Sequence, residues 1–414
     1  AEAYNNLGNI YQDKRDLDIA IDFYKKAIQA NPTYPEAFYN LGTIYLQEEN
    51  FDTAIKSFKQ AINICPGHID AFCNLGTTFH KKGDLYSAIK YFNKAINIDP
   101  HYAEGRWNLS LTLLLKGDYE KGWEEYQWRF KRKNGTKLHA QPQLQEWKGE
   151  NLQSKEKLNV VSEQGLGDTI QYMRYIPYLR QLGIDVSFCA QSKLHSLIKG
   201  SNIDTNPLTT DEANKLSVGK WTPLLSIPKY LKITPKNPII SESYISTTNE
   251  LKNKWRNILS KEKRPIIGIN WQGNPEMDTL LGGRSLPLEK FSRLLKNTDI
   301  NLLSLQKGYG SDQMASCSFR DRFVASQVEV DKVWDFLETA AIIDNCDLII
   351  TCDTSIAHLA GGMGKKVWLL LRDIPFWTWG MNKDTTFWYP SMRLFRQKNR
   401  NNWDEVMDHV SKEL

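Results

Sequence analysis

The first 130 or so residues of the chain repeat themselves every 34 positions. The pattern stops after the fourth copy, and about 280 residues of a different texture follow. A repeat array joined to a second module indicates that one part recognises a partner and the other part acts on it. The residues that recur in phase are Leu7, Leu41, Leu75 and Leu109; Ala20, Ala54 and Ala88; Tyr24, Phe58, Phe92 and Tyr126; and Pro32, Pro66 and Pro100.

Each repeat has the apolar spacing of two amphipathic helices. In the second copy this spacing predicts helices over residues 37–47 and 53–64, with a turn at 48–50. The small residues Gly42 and Ala54 let the two helices approach closely, and Pro66 ends the second helix. The unit of 34 residues resembles the tetratricopeptide repeat. We therefore predict a tetratricopeptide superhelix over residues 1–130.

A polar column accompanies the apolar ones, just before the leucine of each first helix. Its members are Asn6, Asn40, Asn74 and Asn108. First helices line the concave side of such a superhelix, and an asparagine amide offers both a donor and an acceptor. We predict that the column binds the backbone of an acceptor peptide, at about 1 kcal/mol for each hydrogen bond. The alternative is that the asparagines brace neighbouring repeats.

Composition excludes several classes of protein. The net charge of +5 is mild and spread out, so we expect no nucleic-acid partner. The six cysteines form no Cys-x-x-Cys pair, which indicates a reducing, cytoplasmic compartment without structural zinc. We expect no membrane span, because no apolar run reaches the required length. The chain opens inside a repeat without an initiator Met, which indicates a trimmed chain.

The second part alternates between strand and helix signals. Strands are predicted at 158–163, 185–190, 266–270, 302–305, 348–352 and 367–371. Helices are predicted at 168–182 (broken by Pro177), 288–296, 333–345, 355–363 and 403–414. Alternation of this kind is typical of two parallel α/β lobes. The predicted organisation is repeats over 1–130, a linker or cap over 131–156, a first lobe over 157–245, a connector over 246–263, a second lobe over 264–400 and a C-terminal helix over 401–414.

The first of two motifs at strand-to-helix turns is residues 163–169, Glu-Gln-Gly-Leu-Gly-Asp-Thr. Ligands of α/β proteins bind at such turns. The motif lacks the third glycine of a dinucleotide fingerprint, so we expect no nicotinamide cofactor. The functional interpretation makes Asp168 a carboxylate base, and the alternative makes it a helix N-cap. A helix start is expected to lower the pKa of Asp168 and weaken it as a base.

The second motif, residues 352–360, leaves a strand as Cys-Asp-Thr-Ser-Ile-Ala-His-Leu-Ala. The free N–H groups at the start of its helix, with the hydroxyls of Thr354 and Ser355, form an anion site. A diphosphate also requires a cation, and Arg284 and Lys307 are the candidates. The alternative for both is a solvated surface charge. His358 is either a core residue or part of the site. Five aromatic residues either stack on a ligand or belong to the core: Trp271, Trp377, Trp379, Trp388 and Tyr389.

The two motifs in this order resemble the heptosyltransferase-like sugar transferases. More closely, the chain resembles the bacterial family that fuses tetratricopeptide repeats to such a transferase. The layout is similar to that of O-GlcNAc transferase and flagellin-modifying transferases. The resemblance is carried by Glu163 to Asp168, Gly273-Asn274-Pro275, Arg284-Ser285-Leu286-Pro287, Ser304 to Gly308, Asp353 to Ala360, Trp388-Tyr389-Pro390 and Arg393 to Gln397.

The resemblance implies two Rossmann-like lobes in a GT-B arrangement, a nucleotide-sugar donor and inverting transfer. The resemblance implies that Asp168 is the catalytic base. Ser355 departs from the pattern, because the heptosyltransferase turn usually has Gly at this position. The donor-binding residues that it implies are Gly273, Asn274, Arg284, Gln306, Lys307, Asp353, Thr354, Ser355 and His358.

The sequence thus predicts a glycosyltransferase that moves a sugar from a nucleotide-diphosphate donor to a protein hydroxyl, with the repeats holding the acceptor polypeptide. We expect no cofactor and no metal, because no Asp-x-Asp pair occurs in the transferase half. Two alternatives stay open. One is a repeat-based binding scaffold with an inactive transferase lobe, and the other is a transferase that acts on a glycan or lipid acceptor.

Overall fold

A computed structural model describes residues 1–152, 156–239, 242–262, 265–276, 278, 283–296 and 298–414. The chain divides into two compact units, Ala1–Gly135 and Thr136–Leu414. The predicted boundary between connector and second lobe, at 263/264, lies outside the described residues.

The first unit is a row of helix pairs, which confirms the predicted tetratricopeptide superhelix. The two helices of each repeat pack on each other, and the second helix packs on the first helix of the repeat that follows. The helices are α1 (Glu2–Asp13), α2 (Leu17–Ala30), α3 (Pro35–Gln47), α4 (Phe51–Ile64), α5 (Ile69–Lys82), α6 (Leu85–Ile98), α7 (Ala103–Lys116) and α8 (Tyr119–Tyr126).

A glycine in each of the first three repeats sets the distance between paired helices. A Cβ atom added at Gly42 would lie 2.8 Å from the ring of Phe58, and one at Gly76 would lie 2.7 Å from that of Phe92. The aromatic ring therefore occupies the volume in which any other residue would place its side chain. Phe58 is fully buried as a result, and the periodic pairing of glycine with an aromatic ring defines the core of the array.

The turn between paired helices is also periodic. Arg15, Glu49, Gly83 and Gly117 stand at the same position of successive repeats and have φ values of 65°, 57°, 86° and 94°. Each residue reverses the chain in the left-handed conformation, which glycine adopts without steric cost. Two repeats use glycine here and two tolerate a side chain.

The second unit contains two parallel sheets, as the alternating pattern predicts. The first sheet has the order β1-β4-β2-β3 and the second has the order β6-β5-β7-β8-β9. Every strand pairing in them is parallel. The strands are β1 (Gln145–Glu146), β2 (Lys157–Val161), β3 (Asp185–Cys189), β4 (Lys220–Pro223), β5 (Ile266–Asn270), β6 (Asn301–Ser304), β7 (Leu348–Cys352), β8 (Val367–Leu371) and β9 (Met392–Arg396).

Helices connect these strands. They are α9 (Leu166–Tyr172), α10 (Tyr175–Gln181), α11 (His195–Gly200), α12 (Thr210–Asn214), α13 (Ile227–Tyr230), α14 (Asn249–Leu259), α15 (Gln327–Asp331), α16 (Phe336–Asp344), α17 (Ser355–Gly362) and α18 (Trp403–Glu413). The last of them packs across the second sheet through Trp403, Val406, Met407 and Val410, as its spacing predicts.

The structure differs from the sequence prediction in three places. The helix predicted at 168–182 is two helices, and the break falls at Met173 and Arg174 rather than at Pro177. Pro177 lies in the first turn of α10, where a backbone N–H has no intrahelical acceptor, so its missing donor costs nothing. The helix predicted at 288–296 is a 3-10 helix. The stretch predicted as a linker contributes β1, which pairs with β4.

Strand order places a crevice at the carboxyl edge of each sheet. In the second sheet β5 is flanked by β6 on one side and by β7 on the other. The chain therefore adds β6 on one side of β5 and then crosses to the other side to form β7, while the strands stay parallel. In the first sheet β2 is flanked in the same way by β3 and β4. Loops diverge at such points and leave room for a ligand. Among the described helices, none combines the length and the apolar character that a bilayer crossing requires.

We predict that Gly42→Ala destabilises the repeats while Gly67→Ala does not. The added methyl group at position 42 overlaps the Phe58 ring, whereas nothing lies within 4 Å of a Cβ at position 67 of the same repeat. Overpacking of this kind costs about 1–3 kcal/mol of unfolding free energy. Chemical denaturation of the full chain, followed by circular dichroism, measures both variants. Equal midpoints would show that the helix pair separates freely to admit the methyl group.

Candidate functional site

The first motif begins helix α9 at the carboxyl end of β2. Gly165 is the N-cap residue, and Asp168 stands three residues further on. The Oδ2 atom of Asp168 accepts a hydrogen bond from the backbone N–H of Gly165 at 3.0 Å. The alternative that Asp168 is itself the N-cap is therefore wrong, although its carboxylate does cap the helix from the third position. One carboxylate oxygen is engaged in this way.

Burial raises the pKa of Asp168 to about 6, and the nearby carboxylates of Asp353 and Glu163 add to the increase. The Gly165 N–H and the Arg284 guanidinium act in the opposite direction. The expectation of a lowered pKa is wrong, because loss of hydration outweighs the effect of the helix start. A carboxylate with this pKa is ionised at neutral pH and is a stronger base than a solvated aspartate.

The second motif begins helix α17 at the carboxyl end of β7. Thr354 is the N-cap residue and has an extended backbone (φ −140°, ψ 176°). Its hydroxyl donates to Oδ1 of Asn270, the last residue of β5, at 2.8 Å. The N–H groups of Ser355 and Ile356 lie in the first turn of the helix, where no intrahelical acceptor exists. The hydrogen bond to Asn270 thus fixes the start of α17 at the crevice between β5 and β7.

The two motifs lie against each other. A Cβ atom added at Gly167 would lie 3.0 Å from Cδ2 of His358 and 3.5 Å from Cα of Ser355. The absence of a side chain at Gly167 therefore allows the first turns of α9 and α17 to meet. Residues from both sheets of the second unit form one site as a result.

His358 is buried inside this junction. Its Nδ1 atom lies 2.9 Å from the hydroxyl of Tyr389, and its ring stacks on Trp379 with 5.3 Å between centroids. Burial lowers the pKa of His358 to about 3, helped by the positive charges of Arg174 and Arg284. The imidazole is therefore neutral at physiological pH, and it is both a core residue and a neighbour of the site.

Arg284 brings a positive charge to the site. It forms an ion pair with Asp278 (Nε to Oδ1, 3.4 Å), and together with Asp353 it lines a cavity of about 20 Å³. A Cβ atom added at Gly273 would lie 2.8 Å from a guanidinium nitrogen of Arg284, so this glycine admits the side chain. Burial raises the pKa of Asp353, while Arg284 opposes the increase. The neighbouring Asn274 uses its side-chain oxygen to accept from the N–H of Glu276 at 3.1 Å.

Gln306 and Lys307 follow β6 and line a second cleft, which is not the cavity beside Arg284. The Gln306 amide accepts from the side chain of Asn270 and donates to the carbonyl of Gln272, so it braces the turn after β5. Lys307 donates from Nζ to the carbonyl of Val330 at 2.6 Å, and burial lowers its pKa. Both residues line a cleft of about 500 Å³, whose further lining includes Met314, Phe323, Val328 and Trp334.

Sequence reasoning missed several residues of the site. Asn270 is a polar residue at the end of an otherwise apolar strand, a signal that was visible in the sequence. Asp278 forms an ion pair with Arg284, and the side chain of Arg174 is buried near the junction. No local pattern identifies Arg174, because Trp388 and Tyr244, which accept its hydrogen bonds, lie far away in the chain.

The asparagine column makes contacts between repeats. Asn40 donates from Nδ2 to Oδ1 of Asn5 at 3.0 Å, and Asn74 donates to the hydroxyl of Tyr39 at 3.2 Å. Asn108 donates to Sγ of Cys73 at 3.5 Å. These amide groups brace each repeat against the preceding one, as the alternative interpretation predicts, and Asn6 is exposed. Their role toward a peptide stays a prediction.

The five aromatic residues that were candidates for ligand stacking are buried to at least 97 %, which favours their assignment to the core. They are Trp271, Trp377, Trp379, Trp388 and Tyr389. Among the described residues, no group of three His, Cys, Asp or Glu side chains is arranged to hold a metal ion.

Comparisons with known proteins establish the repeats. Tetratricopeptide repeat models match residues 1–34 and 33–101. The protein FlbA of Caulobacter vibrioides is 22% identical over 317 residues, which cover 71% of this chain and 52% of FlbA. The chain thus spans about half the length of this relative.

Solved structures that are similar to the chain cover about a third of it or less. MamA is 26% identical, with 31% of this chain and 74% of MamA covered and a TM-score of 0.29. The second tetratricopeptide domain of human RPAP3, solved in complex with an HSP70 peptide, is 24% identical, with 27% of this chain and 93% of that domain covered and a TM-score of 0.26.

We predict that Asp168→Asn stabilises the chain at pH 8 and has no such effect at pH 4. The folded-state pKa lies above the unfolded value, so folding favours the protonated form. That contribution is complete below the unfolded pKa and is lost as pH rises through about 6. The neutral amide avoids this loss, a gain of up to about 3 kcal/mol at pH 8.

Thermal unfolding of the full chain at both pH values measures this effect. Asp404→Asn is the control of opposite sign, because a hydrogen bond from Lys290 lowers the pKa of Asp404. A stability difference for Asp168→Asn that does not change with pH would contradict the raised pKa.

Proposed function

We propose that this chain is an inverting glycosyltransferase that moves a sugar from a nucleotide-diphosphate donor to a hydroxyl of a polypeptide held by the repeats. In this proposal the two parallel sheets belong to two Rossmann-like lobes in a GT-B arrangement. The first lobe supplies the base and the second binds the donor.

The observation that carries the proposal is the meeting of the two motifs at Gly167 and His358. It brings a carboxylate with a pKa of about 6 to the start of a helix, where Arg284 and Asp353 line one cavity. Displacement of a diphosphate by a hydroxyl requires this combination, a base on one side and an anion site on the other. Its presence in one junction favours a transferase over an inactive lobe.

The donor diphosphate is assigned to the start of α17. The N–H groups of Ser355 and Ile356 and the hydroxyl of Ser355 are its hydrogen-bond donors, and Arg284 is its counter-ion. Asp353 and Asp278 orient Arg284, since both carboxylates act on its guanidinium. Thr354 and Asn270 hold the helix start. Gly273 and Asn274 shape the loop against which Arg284 packs.

The nucleoside is assigned to the cleft beside Lys307. A volume of about 500 Å³, lined by apolar side chains and by the charged groups of Lys307, Arg320 and Asp331, fits a base and ribose. Gln306 takes a positioning role, because its amide already braces the turn after β5. Lys307 presents its ammonium at the wall of this cleft, anchored on the carbonyl of Val330.

In the transfer step, the acceptor oxygen attacks the anomeric carbon while Asp168 takes the hydroxyl proton. The bond between that carbon and the diphosphate oxygen breaks, and the electron pair leaves with the diphosphate. Positive charge and N–H groups at the start of α17 stabilise the leaving group. General-base catalysis by Asp168 contributes about 10²–10⁴ in rate.

The repeats are assigned to the acceptor polypeptide. The tetratricopeptide matches support a protein-binding array over residues 1–101. The Nδ2 groups of Asn40, Asn74 and Asn108 are used between repeats. In this proposal their Oδ1 atoms accept hydrogen bonds from the backbone N–H groups of an extended peptide. Such contacts are weak and independent of sequence, which suits an acceptor segment that must also leave.

Ser355→Pro tests the diphosphate site without removing the helix. Proline is favoured at the first position of a helix, and the extended conformation of Thr354 accommodates a following proline. The substitution deletes one N–H group, whereas Ser355→Ala deletes the hydroxyl and keeps that N–H. We expect nucleoside diphosphates to stabilise the wild-type chain in a thermal-shift screen. We also expect Ser355→Pro to weaken binding by about tenfold or more, and Ser355→Ala to weaken it less.

The same screen decides between the proposed functions. Stabilisation by one nucleoside diphosphate, reduced in Ser355→Pro and in Arg284→Gln, supports the donor site and identifies the base. Absence of any shift at millimolar concentration would favour the binding scaffold. A donor that binds and is consumed on a glycan or lipid, with saturating peptide having no effect, would favour the non-protein acceptor.

The pH dependence of transfer tests the base. Because the free chain must hold Asp168 ionised, kcat/KM should rise about tenfold per pH unit below pH 6 and level off above it. Asp168→Asn should lower the plateau by about 10²–10⁴ and remove the acidic limb. Mass spectrometry of the acceptor peptide measures the rate. An acidic limb that persists in Asp168→Asn would assign the base to another residue.

A further inference from the structure

The side chain of Arg174 is buried next to the junction between the two motifs. Its side chain is 1% exposed and donates to the backbone carbonyls of Gln171 and Trp388, each at 2.8 Å, and to the hydroxyl of Tyr244 at 3.2 Å. The guanidinium carbon lies 4.6 Å from the ring centroid of Tyr244 and 4.7 Å from that of Tyr389. A cation held by so many contacts fixes the position of the Tyr389 ring.

The Tyr389 hydroxyl is 2.9 Å from Nδ1 of His358, and both side chains are buried. Burial raises the pKa of Tyr389, so its phenol keeps its proton. A buried hydroxyl needs an acceptor, and the Nδ1 lone pair of a neutral imidazole supplies one. The neighbouring Tyr244 hydroxyl donates to the carbonyl of Ile170 at 2.8 Å, and its oxygen accepts from Arg174 at 3.2 Å. If Nδ1 is the acceptor, the single imidazole proton is on Nε2.

The surroundings of His358 keep the ring neutral and orient it. The charged groups that act on it are Arg174 below and Arg284 beside it, and both oppose protonation. Trp379 packs on one face of the ring. Cδ2 lies 3.0 Å and Nε2 lies 3.7 Å from the Cβ position of Gly167, so this edge of the ring faces the first turn of α9. The next residue along that turn is Asp168.

We propose that Tyr389, held in place by Arg174, is a positioning residue that fixes His358 as the neutral tautomer with its proton on Nε2. His358 then supplies a hydrogen-bond donor to an oxygen atom of the ligand bound beside the junction of α9 and α17. It serves neither as a base nor as a cation. The identity of that ligand as the donor sugar nucleotide rests on the proposed function, whereas the tautomer does not.

Two properties follow from a donor of this kind. A neutral N–H binds a phosphate or sugar oxygen without repelling Arg284, so two donors can act on one ligand. The imidazole also holds a single protonation state across the pH range in which Asp168 titrates. Donor binding and proton abstraction are thereby separated between two residues.

Imidazole ¹⁵N NMR of the full chain, labelled at histidine, tests the tautomer directly. The His358 signals are identified by their loss in His358→Gln. We expect a single tautomer with the proton on Nε2, unchanged between pH 5.5 and 8. In Tyr389→Phe the ring should become a mixture of the two neutral tautomers. Tyr175→Phe is the matched control, since it removes a buried phenol hydroxyl that has no hydrogen-bond partner among the described residues.

The outcomes separate the tautomer from the proposed function. A His358 ring that carries its proton on Nδ1, or that is unaffected in Tyr389→Phe, would overturn the positioning role. If the tautomer behaves as expected, nucleoside diphosphate affinity should fall about three- to tenfold in Tyr389→Phe and remain unchanged in Tyr175→Phe. Retained affinity in Tyr389→Phe would overturn the ligand contact. Failure of the wild-type chain to bind any nucleotide would refute the donor site and leave the NMR result standing.

Discussion

The contact between the first turns of α9 and α17 is the interaction on which the second unit depends. Gly167 has no side chain, and a Cβ atom there would crowd the His358 ring and touch the backbone of Ser355. Because each of these helices starts at the carboxyl end of a parallel strand, their contact joins the edges of both sheets. Every feature of the candidate site lies within reach of this junction: the carboxylate, the free N–H groups, the arginine and the neutral histidine.

Burial at the junction changes the chemistry of the groups it encloses. Loss of hydration raises the pKa values of Asp168 and Asp353 and lowers that of His358. All three groups are thereby shifted toward their neutral forms. Arg284 and Arg174 are the charges that stay, because a guanidinium does not lose its proton in a protein. The site therefore combines fixed positive charge with carboxylates that are easily protonated, which suits the binding of an anion.

The repeat unit obeys a simpler rule. A glycine in a first helix faces an aromatic ring of the second helix, and the spacing of 34 residues reproduces this pair along the array. The asparagines add a second link from repeat to repeat. The Nδ2 groups of Asn40, Asn74 and Asn108 are engaged within the array.

The sequence alone determined the repeat array, the parallel strands of the second unit and the two motifs at their ends. These features depend on periodicity and on local rules for strand, helix and turn, which are legible in a single chain. Tertiary structure alone decided the rest. It showed that Asn270 anchors Thr354, that Asp353 lies near Arg284, and that the Tyr389 hydroxyl and the Arg174 charge lie near His358. It also reversed the expected direction of the Asp168 pKa. The physical reason is the same throughout: hydrogen bonds between distant residues and the loss of hydration exist only once the chain has folded, so no local pattern encodes them.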